Sequence, residues 1–581
     1  MVALDSMPNL VTLFFDRAAE KGDAPFLWAR QDDRWQSRSW AEAAAEVARL
    51  AEALAALGLS PGDRVMLVAE NRPEWAIADL AIMAAGCITV PAYTTNTAAD
   101  HAHILENSGA RAAIVSTARL AKTVLPALAR ASGCEIAIMI EPSARERVGT
   151  VRLHDWQPLL EAQPGDVAAC AAAAARFGRD DIACIIYTSG TGGSPRGVPQ
   201  HHGAILRNIA GCRQIIVEDF PAGDEVFLSL LPLSHAYEHS AGLHLPIALG
   251  AQIYYAESLE RLAANIEEVR PTIMIVVPRL FELLRARILK QVEKQGGVAR
   301  WLLARALALG RKGGPGLAER PLDLLLDLTV RRKIRRRFGG RLKALVSGGA
   351  PLNKDVGGFF DALGLALLQG YGQTEAGPVI SCNRPRAGIR LDTVGPPLEG
   401  VTVRIAGDGE ILVQGENVMH GYWRNDAETA RVLVDGWLHT GDVGHVDAGG
   451  RIVITDRKKD LIVNDKGENV SPQRVEGMLT AEPEIAQAMV VGDRRPHLVA
   501  LVVPDAEWLA TQSPGADVAR GLMAAVDRVN AGLSTTERVR RILIAEEPFT
   551  IENGSLTPSL KVRRHVLRAL YGARLDALYA R

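Results

Sequence analysis

The chain has 581 residues, 48% of them hydrophobic and 23% charged. This is ordinary globular composition in a chain too long for a single core, so we expect two or more domains. Lys and Arg number 66 against 67 Asp and Glu, so the overall charge does not indicate a nucleic acid partner. The six cysteines have no metal-ligand spacing and are interpreted as buried apolar residues, which fits a reducing cytoplasm. The segment Met1–Asn9 lacks the pattern of a signal peptide.

The first part of the chain alternates between helical and strand-like patterns. Apolar residues recur at helical spacing over Trp40–Leu57 and again over Glu74–Gly86. A short apolar strand candidate follows each of these predicted helices, at Arg64–Ala69 and Ile88–Pro91. This alternation predicts an α/β fold with a largely parallel sheet and helices on its faces. Beyond residue 400 the pattern changes, because Val401–Val413 has short strand candidates with glycine turns.

The most membrane-like stretch is Phe227–Ala256, where Glu238 is the only formal charge. Pro232 and Pro246 interrupt it, whereas a spanning helix needs about 20 mainly apolar residues without a break. We therefore predict a buried strand, loop and helix in this stretch.

A loop rich in glycine and hydroxyl residues follows the strand candidate Ile182–Ile186. The segment Tyr187–Gly197 contains glycines that let backbone N–H groups approach an anion, hydroxyls that add donors, and the cation Arg196. It is neither a GxxxxGK[ST] nor a GxGxxG motif. The pattern predicts a loop that holds phosphate oxygens, and the alternative is a flexible linker. The predicted phosphate-binding residues are Thr188, Ser189, Gly190, Thr191, Gly192, Gly193 and Arg196.

This loop resembles the TSGTTGxPKG signature of the adenylate-forming superfamily, which includes acyl-CoA synthetases, peptide-synthetase adenylation domains and beetle luciferases. Gly192 replaces the second Thr of the signature, and Arg196 replaces its Lys, which keeps the charge. Six further segments resemble motifs of this superfamily in the same order. They are Leu231–His239, Ser347–Leu352, Gln369–Glu375, His439–Asp442, Asp456–Asp460 and Thr557–Lys561.

The resemblance implies an α/β fold with a large N-terminal domain of layered sheets and helices and a small, mobile α+β C-terminal domain. Residues 1–455 would form the adenylation domain, 456–460 the hinge and 461–581 the C-terminal domain. The implied reaction joins a carboxylic acid to ATP, releases pyrophosphate and passes the acyl group from acyl-AMP to CoA. A medium- to long-chain fatty acid is the expected substrate. The alternatives are delivery to a carrier protein or other acceptor, and an inactive relative that binds nucleotide or membrane.

The resemblance also implies residue roles in the first half-reaction. Glu375 would bind Mg²⁺, which favours carboxylate and phosphate oxygens. Thr374 would donate to the α-phosphate, and Lys561 would bridge the acyl carboxylate and that phosphate. Thr188 is a further catalytic candidate in the phosphate loop, and His235 would line the acyl pocket. For each residue the plain alternative is a structural role in a turn, a core or a solvated face.

The nucleotide itself would be held by four further motif regions. Tyr371, between Gly370 and Gly372, would stack on adenine, with the turn Gly349, Ala350 and Pro351 beside it. Asp442 would accept both ribose hydroxyls, and Arg457 would contact ribose or phosphate. Lys459 would be the hinge about which the C-terminal domain rotates between half-reactions.

The segment 279–343 is strongly basic, with 18 Lys and Arg against 5 Asp and Glu. Interleaved leucines give it amphipathic helical patterns, and long-chain acyl-CoA synthetases carry a similar insert before the same turn. Three interpretations stay open: a solvated helical face, peripheral contact with anionic lipid at the inner membrane face, and attraction of the CoA phosphates.

Overall fold

The computed structural model describes residues 4–188, 195–312, 316–458, 461–465, 468–513, 515–557 and 562–580. Two eight-stranded sheets make up most of the part before residue 400. The first sheet has a parallel interior, and its two outer strands are antiparallel to their neighbours. Its strand order is Val379–Cys382, Leu367–Gly372, Ala344–Ser347, Ile273–Val276, Val226–Ser229, Gln252–Tyr255, Pro25–Gln31 and Arg34–Ser39.

The second sheet follows the same plan, with parallel strands inside and one antiparallel strand at each edge. Its strand order is Arg196–His201, Ile182–Thr188, Ile88–Pro91, Arg64–Val68, Ala112–Val115, Ile136–Met139, Val151–Asp155 and Arg147–Val148. Helices connect most of the parallel strands of both sheets, as is usual for such strands. The predicted α/β fold with a largely parallel sheet is confirmed.

The predicted helices begin and end close to where their sequence patterns do. The helix Trp40–Ala56 starts with a capping box, in which Ser39 and Glu42 each bond the other's backbone N–H. The helix Pro73–Ala84 is buried over its whole length. One hydrophobic core joins these helices to strands of both sheets, which makes the architecture layered.

The other α-helices before residue 460 are Leu10–Lys21, Ala98–Ser108, Ala118–Leu128, Trp156–Glu161, Val167–Ala174, His202–Asp219, Ala236–Glu238, Leu245–Leu249, Leu262–Val269, Pro278–Lys294, Gly297–Arg311, Arg320–Leu326, Arg332–Arg337, Lys354–Ala362 and Asp426–Val432. Two π-helices lie at His239–His244 and Asp327–Arg331. Short 3₁₀ turns lie at Leu4–Ser6, Leu317–Glu319, Thr374–Ala376, Pro385–Ala387 and Thr535–Glu537.

A third, antiparallel sheet begins where the sequence pattern changes near residue 400. Its strands are Thr402–Ile405, Glu410–Gln414, Trp437–Val446 and Leu433–Val434, with Ile452–Arg457 also paired to Trp437–Val446. The short strands predicted over Val401–Val413 are thus present.

The C-terminal part is α+β. It contains a three-stranded sheet of Ile485–Val491, Leu498–Pro504 and Val539–Ile544 and a separate two-stranded sheet of Ile462–Val463 and Asn469–Val470. Its helices are Pro472–Leu479, Ala506–Thr511, Val518–Asn530 and Arg564–Ala577. Two hydrophobic clusters in this part contain only residues that follow Leu461, so it has cores of its own.

The membrane-like stretch Phe227–Ala256 forms a strand, a loop, a helical segment and a second strand, Gln252–Tyr255, which agrees with the buried element predicted for it. Within the described residues, no helix has both the length and the apolarity needed to cross a membrane.

Candidate active site

Three of the predicted motifs lie at the ends of parallel strands of the first sheet. The strands Val226–Ser229, Ala344–Ser347 and Leu367–Gly372 run in the same direction. The residues after them therefore meet at one edge of the sheet, formed by the carboxyl ends of the strands, where α/β proteins commonly bind ligands. Contacts connect two of these motifs directly. The Tyr237 hydroxyl donates to the Val346 carbonyl at 3.0 Å, and a Cβ added at Gly348 would lie 2.9 Å from the Tyr237 ring.

The first two motifs each present a turn at this edge. His235 is half-buried and caps the helix Ala236–Glu238, where its Nδ1 accepts from the Tyr237 backbone N–H at 3.2 Å. Gly349 has φ +83°, and it lies with Ala350 and Pro351 in an exposed turn. The predicted acyl-pocket histidine and adenine turn therefore lie after strands of the same sheet.

The predicted phosphate loop connects the two strands of a β-hairpin. Thr188 ends one strand, Arg196 begins the next, and the two residues are directly paired. The Thr188 hydroxyl is buried, with no hydrogen-bond partner among the described residues. The pairing brings both ends of the loop together, as a cradle for an anion requires. The predicted loop residues Ser189, Gly190, Thr191, Gly192 and Gly193 lie outside the described residues, as do Lys459 and Lys561.

Arg196 is linked to Glu375 through one tyrosine. The Arg196 guanidinium lies 4.6 Å from the centre of the Tyr422 ring, and it also forms an ion pair with Glu428. The Tyr422 hydroxyl donates to Glu375 Oε1 at 2.8 Å. Burial, and next the Glu375 carboxylate, raise the pKa of Tyr422, so its hydroxyl keeps the proton that it donates. The phosphate-loop cation and the predicted metal ligand are therefore held by a common residue.

The turn that carries Glu375 is also fixed through its backbone. Gln200, on the strand after the phosphate loop, donates to the Thr374 carbonyl at 2.9 Å. The Met419 backbone N–H donates to the Glu375 carbonyl at 2.9 Å. Gly372 is required just before this turn, because a Cβ there would lie 2.0 Å from the Pro378 carbonyl oxygen. The backbone of Thr374 and Glu375 is thus held in place by contacts from two other segments.

Tyr371, Asp442 and Arg457 form one hydrogen-bonded group. The Tyr371 hydroxyl donates to Asp442 Oδ2 at 2.7 Å, and Arg457 Nε donates to Asp442 Oδ1 at 2.8 Å. Asp442 and Arg457 are paired across adjacent strands of the third sheet. Burial, and then the Asp442 carboxylate, raise the pKa of Tyr371. A carboxylate has about four lone-pair positions, so each Asp442 oxygen can still accept another hydroxyl.

Comparisons with known proteins identify the family of the chain. Residues 14–423 match the family model of the AMP-binding enzymes, and residues 459–581 match the model of the AMP-binding enzyme C-terminal domain. The chain belongs to the AMP-binding enzymes. It is 33% identical to long-chain-fatty-acid–CoA ligase FadD15 of Mycobacterium bovis, over 98% of this chain and 97% of that protein.

A less similar relative and a solved structure also match most of the length of this AMP-binding enzyme. Long chain acyl-CoA synthetase 7 of Arabidopsis thaliana is 30% identical over 95% of this chain and 83% of its own length. The crystal structure of the carboxylate reductase adenylation domain from Mycobacterium chelonae shares the fold, with a TM-score of 0.77 and 22% identity over 99% of this chain and 91% of that one. The predicted superfamily and fold class are confirmed.

Two residues of the candidate site were missed in the sequence. Tyr422 and Glu428 lie far from the phosphate loop in the chain, in a segment that resembles none of the motifs. The nearest signal is the Gly421–Tyr422 pair just before the helix Asp426–Val432. Gly421 is packed closely on Thr429, but the direction of the tyrosine becomes evident only in three dimensions.

Proposed function

We propose that this AMP-binding enzyme is an AMP-forming ligase that activates a medium- to long-chain fatty acid with ATP and transfers the acyl group to CoA. The observation that carries the proposal is the group around Asp442. Three segments separated in the chain supply an aromatic ring, a carboxylate and a guanidinium, and the first and last of these both donate to the carboxylate. This combination suits an adenosine, because the ring can stack and the carboxylate can accept ribose hydroxyls. The names of the relatives support the fatty acid and CoA as substrates.

Adenylation requires two anions to react, so the site must supply positive charge and hydrogen-bond donors where negative charge builds up. In our proposal Arg196, Thr188 and the loop Ser189–Gly193 bind the ATP phosphates. Thr374 donates to the α-phosphate. Lys561 bridges that phosphate and the acid as the acyl–phosphate bond forms and pyrophosphate leaves.

Glu375 is the proposed ligand of Mg²⁺. Its side chain is buried. Among the described residues, its carboxylate accepts a hydrogen bond only from Tyr422, at Oε1. The second oxygen therefore suits a cation that prefers carboxylate and phosphate ligands. When bound, Mg²⁺ would neutralise charge on the phosphates.

The two half-reactions require the C-terminal domain to move. We propose residues 1–455 as the adenylation domain, 456–460 as the hinge around Lys459, and 461–581 as the mobile domain that carries Lys561. The separate hydrophobic clusters of the C-terminal part support this division. Closure would bring Lys561 to the nucleotide and exclude water from the acyl-adenylate, and rotation would then withdraw it.

The test separates activation from transfer. ATP–pyrophosphate exchange measured with acids of increasing chain length reports adenylation, and thioester formation after addition of CoA reports transfer. We expect exchange with fatty acids and acyl-CoA as product. Exchange without thioester would instead indicate a carrier protein or another acceptor, and no exchange with any acid would refute the proposal.

Lys561→Ala tests the division of labour between the half-reactions. It should abolish exchange yet largely spare thioester formation from supplied acyl-adenylate. Arg563→Ala, which changes a nearby cation outside the motif, should leave both steps near wild type. Equal loss of both steps in a folded Lys561→Ala protein would contradict the assigned role.

We also propose that the segment 279–343 makes peripheral contact with an anionic bilayer at the cytoplasmic face. Its described helices expose apolar side chains close to many cations. The large exposed apolar residues are Leu283, Leu289, Val298, Trp301, Leu317, Leu324, Leu325 and Leu328. Such contacts typically combine apolar side chains that enter the interface with basic residues that attract anionic headgroups.

Ion pairing within the segment separates cations that are already neutralised from cations that are available for this contact. Arg331 and Arg335 form ion pairs with Asp323 and Asp327 inside the segment. A surface cleft is lined instead by Arg332, Lys333, Arg336 and Arg337, with Glu267, Leu328 and Thr329. Each basic residue near an anionic surface contributes on the order of 1 kcal/mol, so the cleft cations should dominate binding.

Arg332→Gln/Arg336→Gln/Arg337→Gln should weaken binding to anionic vesicles by roughly a hundredfold, at about 1 kcal/mol for each charge. The matched control changes three exposed arginines of the C-terminal part, Arg494, Arg520 and Arg540, to Gln. Unchanged vesicle binding in the first variant would refute the lipid contact. A raised KM for CoA with vesicle binding intact would favour the CoA phosphates as the partner.

A further inference from the structure

Three donor side chains meet in the core, apart from the residues assigned to adenylation. Asp79 lies in the buried helix Pro73–Ala84, and His239 and His244 are the first and last residues of a π-helix. The side chains of Asp79 and His239 are 0% exposed, and that of His244 is 1% exposed. Buried ionisable groups are costly unless they are paired or bind a metal.

The three donor atoms form a small triangle. Asp79 Oδ2 lies 2.8 Å from His239 Nε2 and 3.7 Å from His244 Nε2, and the two nitrogens are 3.4 Å apart. In tetrahedral zinc sites with bonds of about 2.0–2.1 Å to nitrogen and oxygen, neighbouring ligand atoms are about 3.3 Å apart. We propose that Asp79, His239 and His244 bind a divalent transition-metal ion of the Zn²⁺ type.

The π-helix supports this proposal independently. In an α-helix, residues five apart point about 140° away from each other, so two such histidines would not share a ligand. The π-helix His239–His244 brings its first and last imidazoles together, with ring centres 4.7 Å apart and planes at 81°. Single π turns are rare and often mark functional sites.

An ion pair alone accounts for only part of the cluster. A proton shared between His239 and Asp79 explains their 2.8 Å contact, but it leaves the Nε2 atom of His244 3.7 Å from the carboxylate oxygen, too far for a hydrogen bond, and 3.4 Å from a second imidazole nitrogen. A bound cation would be contacted by all three atoms and would replace the proton between His239 and Asp79, which would be released to solvent.

The surroundings of His239 resemble the outer shell of a metal site. Its other ring nitrogen, Nδ1, lies 4.0 Å from Cys184 Sγ on a strand of the second sheet. Metal-binding histidines commonly use their second nitrogen for a hydrogen bond that fixes the ring, and here a thiol sulfur occupies that position. The ion would thus join the helix Pro73–Ala84 to the segment that follows His235 and Tyr237.

The test is zinc binding by the full-length protein after removal of metal with a chelator. We expect about one more Zn²⁺ per chain in wild type than in His244→Leu, as one three-ligand site requires, and a rise in Tm with Zn²⁺ in wild type only. The difference is the readout because Asp180, His201 and His420 form a second, more exposed group of possible ligands. Co²⁺ should give visible absorption that His244→Leu lacks.

His101→Leu is the matched control, since His101 is fully buried and neither ring nitrogen has a hydrogen-bond partner among the described residues. It should bind as much Zn²⁺ as wild type. His244→Asn, which keeps a polar side chain, replaces His244→Leu if the latter does not fold. Equal zinc content in wild type and the His244 variant, with no Tm response to Zn²⁺, would overturn the proposal.

Discussion

Asp442 and Asp79 are both buried carboxylates with two close partners, but their surroundings differ. Arg457, a partner of Asp442, has a side chain that is 36% exposed, and Tyr371 lies near the carboxyl end of the strand Leu367–Gly372. The partners of Asp79 are almost entirely enclosed. Asp442 can therefore bind a substrate that enters and leaves, whereas Asp79 can hold only a permanently bound partner.

Asp442→Asn should produce the largest effect, because it removes both the charge that holds Arg457 and the acceptor proposed for ribose. We expect kcat/KM for ATP in the exchange assay to fall roughly a thousandfold, or about 4 kcal/mol, with little change in Tm. Asp435→Asn, at an exposed turn of the same sheet, is the control and should have no effect. A tenfold loss or less would remove Asp442 from the nucleotide site.

Asp79→Asn should show the opposite profile. In the metal-free protein it leaves the His239 imidazole without a counter-charge in the core. Removal of one partner of a buried pair costs about 3 kcal/mol of unfolding free energy. KM for ATP should stay near wild type in the folded fraction. Chemical denaturation measures the loss of stability.

The matched variant for Asp79→Asn is the triple change Asp79→Leu/His239→Leu/His244→Leu, which replaces all three ionisable members of the cluster. Replacement of a whole buried pair by apolar residues of similar volume is often neutral or stabilising, so this variant should recover most of the stability. If both variants were equally destabilised, packing rather than charge would explain the role of Asp79.

The sequence predicts these two regions to very different extents. The residues around Asp442 stand in recognisable short motifs, and the periodic helices Trp40–Ala56 and Pro73–Ala84 end within about two residues of their patterns, as strong periodicity allows. The Asp79 cluster has no such signal. Its members are separated by about 160 residues, and a π-helix cannot be read from a period of 3.6.

The basic segment 279–343 illustrates a second limit. Counting charges identifies the excess of Lys and Arg, but it treats every arginine alike. The structure divides them, because Arg331 and Arg335 are paired with aspartates about two turns earlier whereas Arg336 lines an open cleft. Which charges remain available to a partner is a property of packing, not of composition.

Tyr422→Phe should have an intermediate effect and sharpens the comparison within the candidate site. It removes the hydroxyl that donates to Glu375 but keeps the ring beneath Arg196. A hydrogen bond to a charged group contributes about 1.5–3 kcal/mol, so we expect kcat to fall roughly tenfold to a hundredfold. The Mg²⁺ concentration for half-maximal activity should rise as well.

The Mg²⁺ titration distinguishes positioning of Glu375 from a general packing role of Tyr422. Glu375→Gln supplies the reference, since it should raise the Mg²⁺ requirement more strongly. If Glu375→Gln shifts the requirement and Tyr422→Phe does not, Tyr422 has no part in orienting the carboxylate.

Tyr371→Phe should have the smallest effect of the series. The hydroxyl lost here also donates to a carboxylate, but Asp442 would still be held by Arg457 at 2.8 Å, and the aromatic ring proposed to stack on adenine would remain. We expect KM for ATP to rise only about fivefold, or about 1 kcal/mol, with kcat and the Mg²⁺ requirement unchanged. Arg457→Gln/Tyr371→Phe should lose more than the sum of its single changes, because the carboxylate would then lack both partners. Strict additivity in this double-mutant cycle would mean that the two residues act on the nucleotide independently and that Asp442 does not connect them.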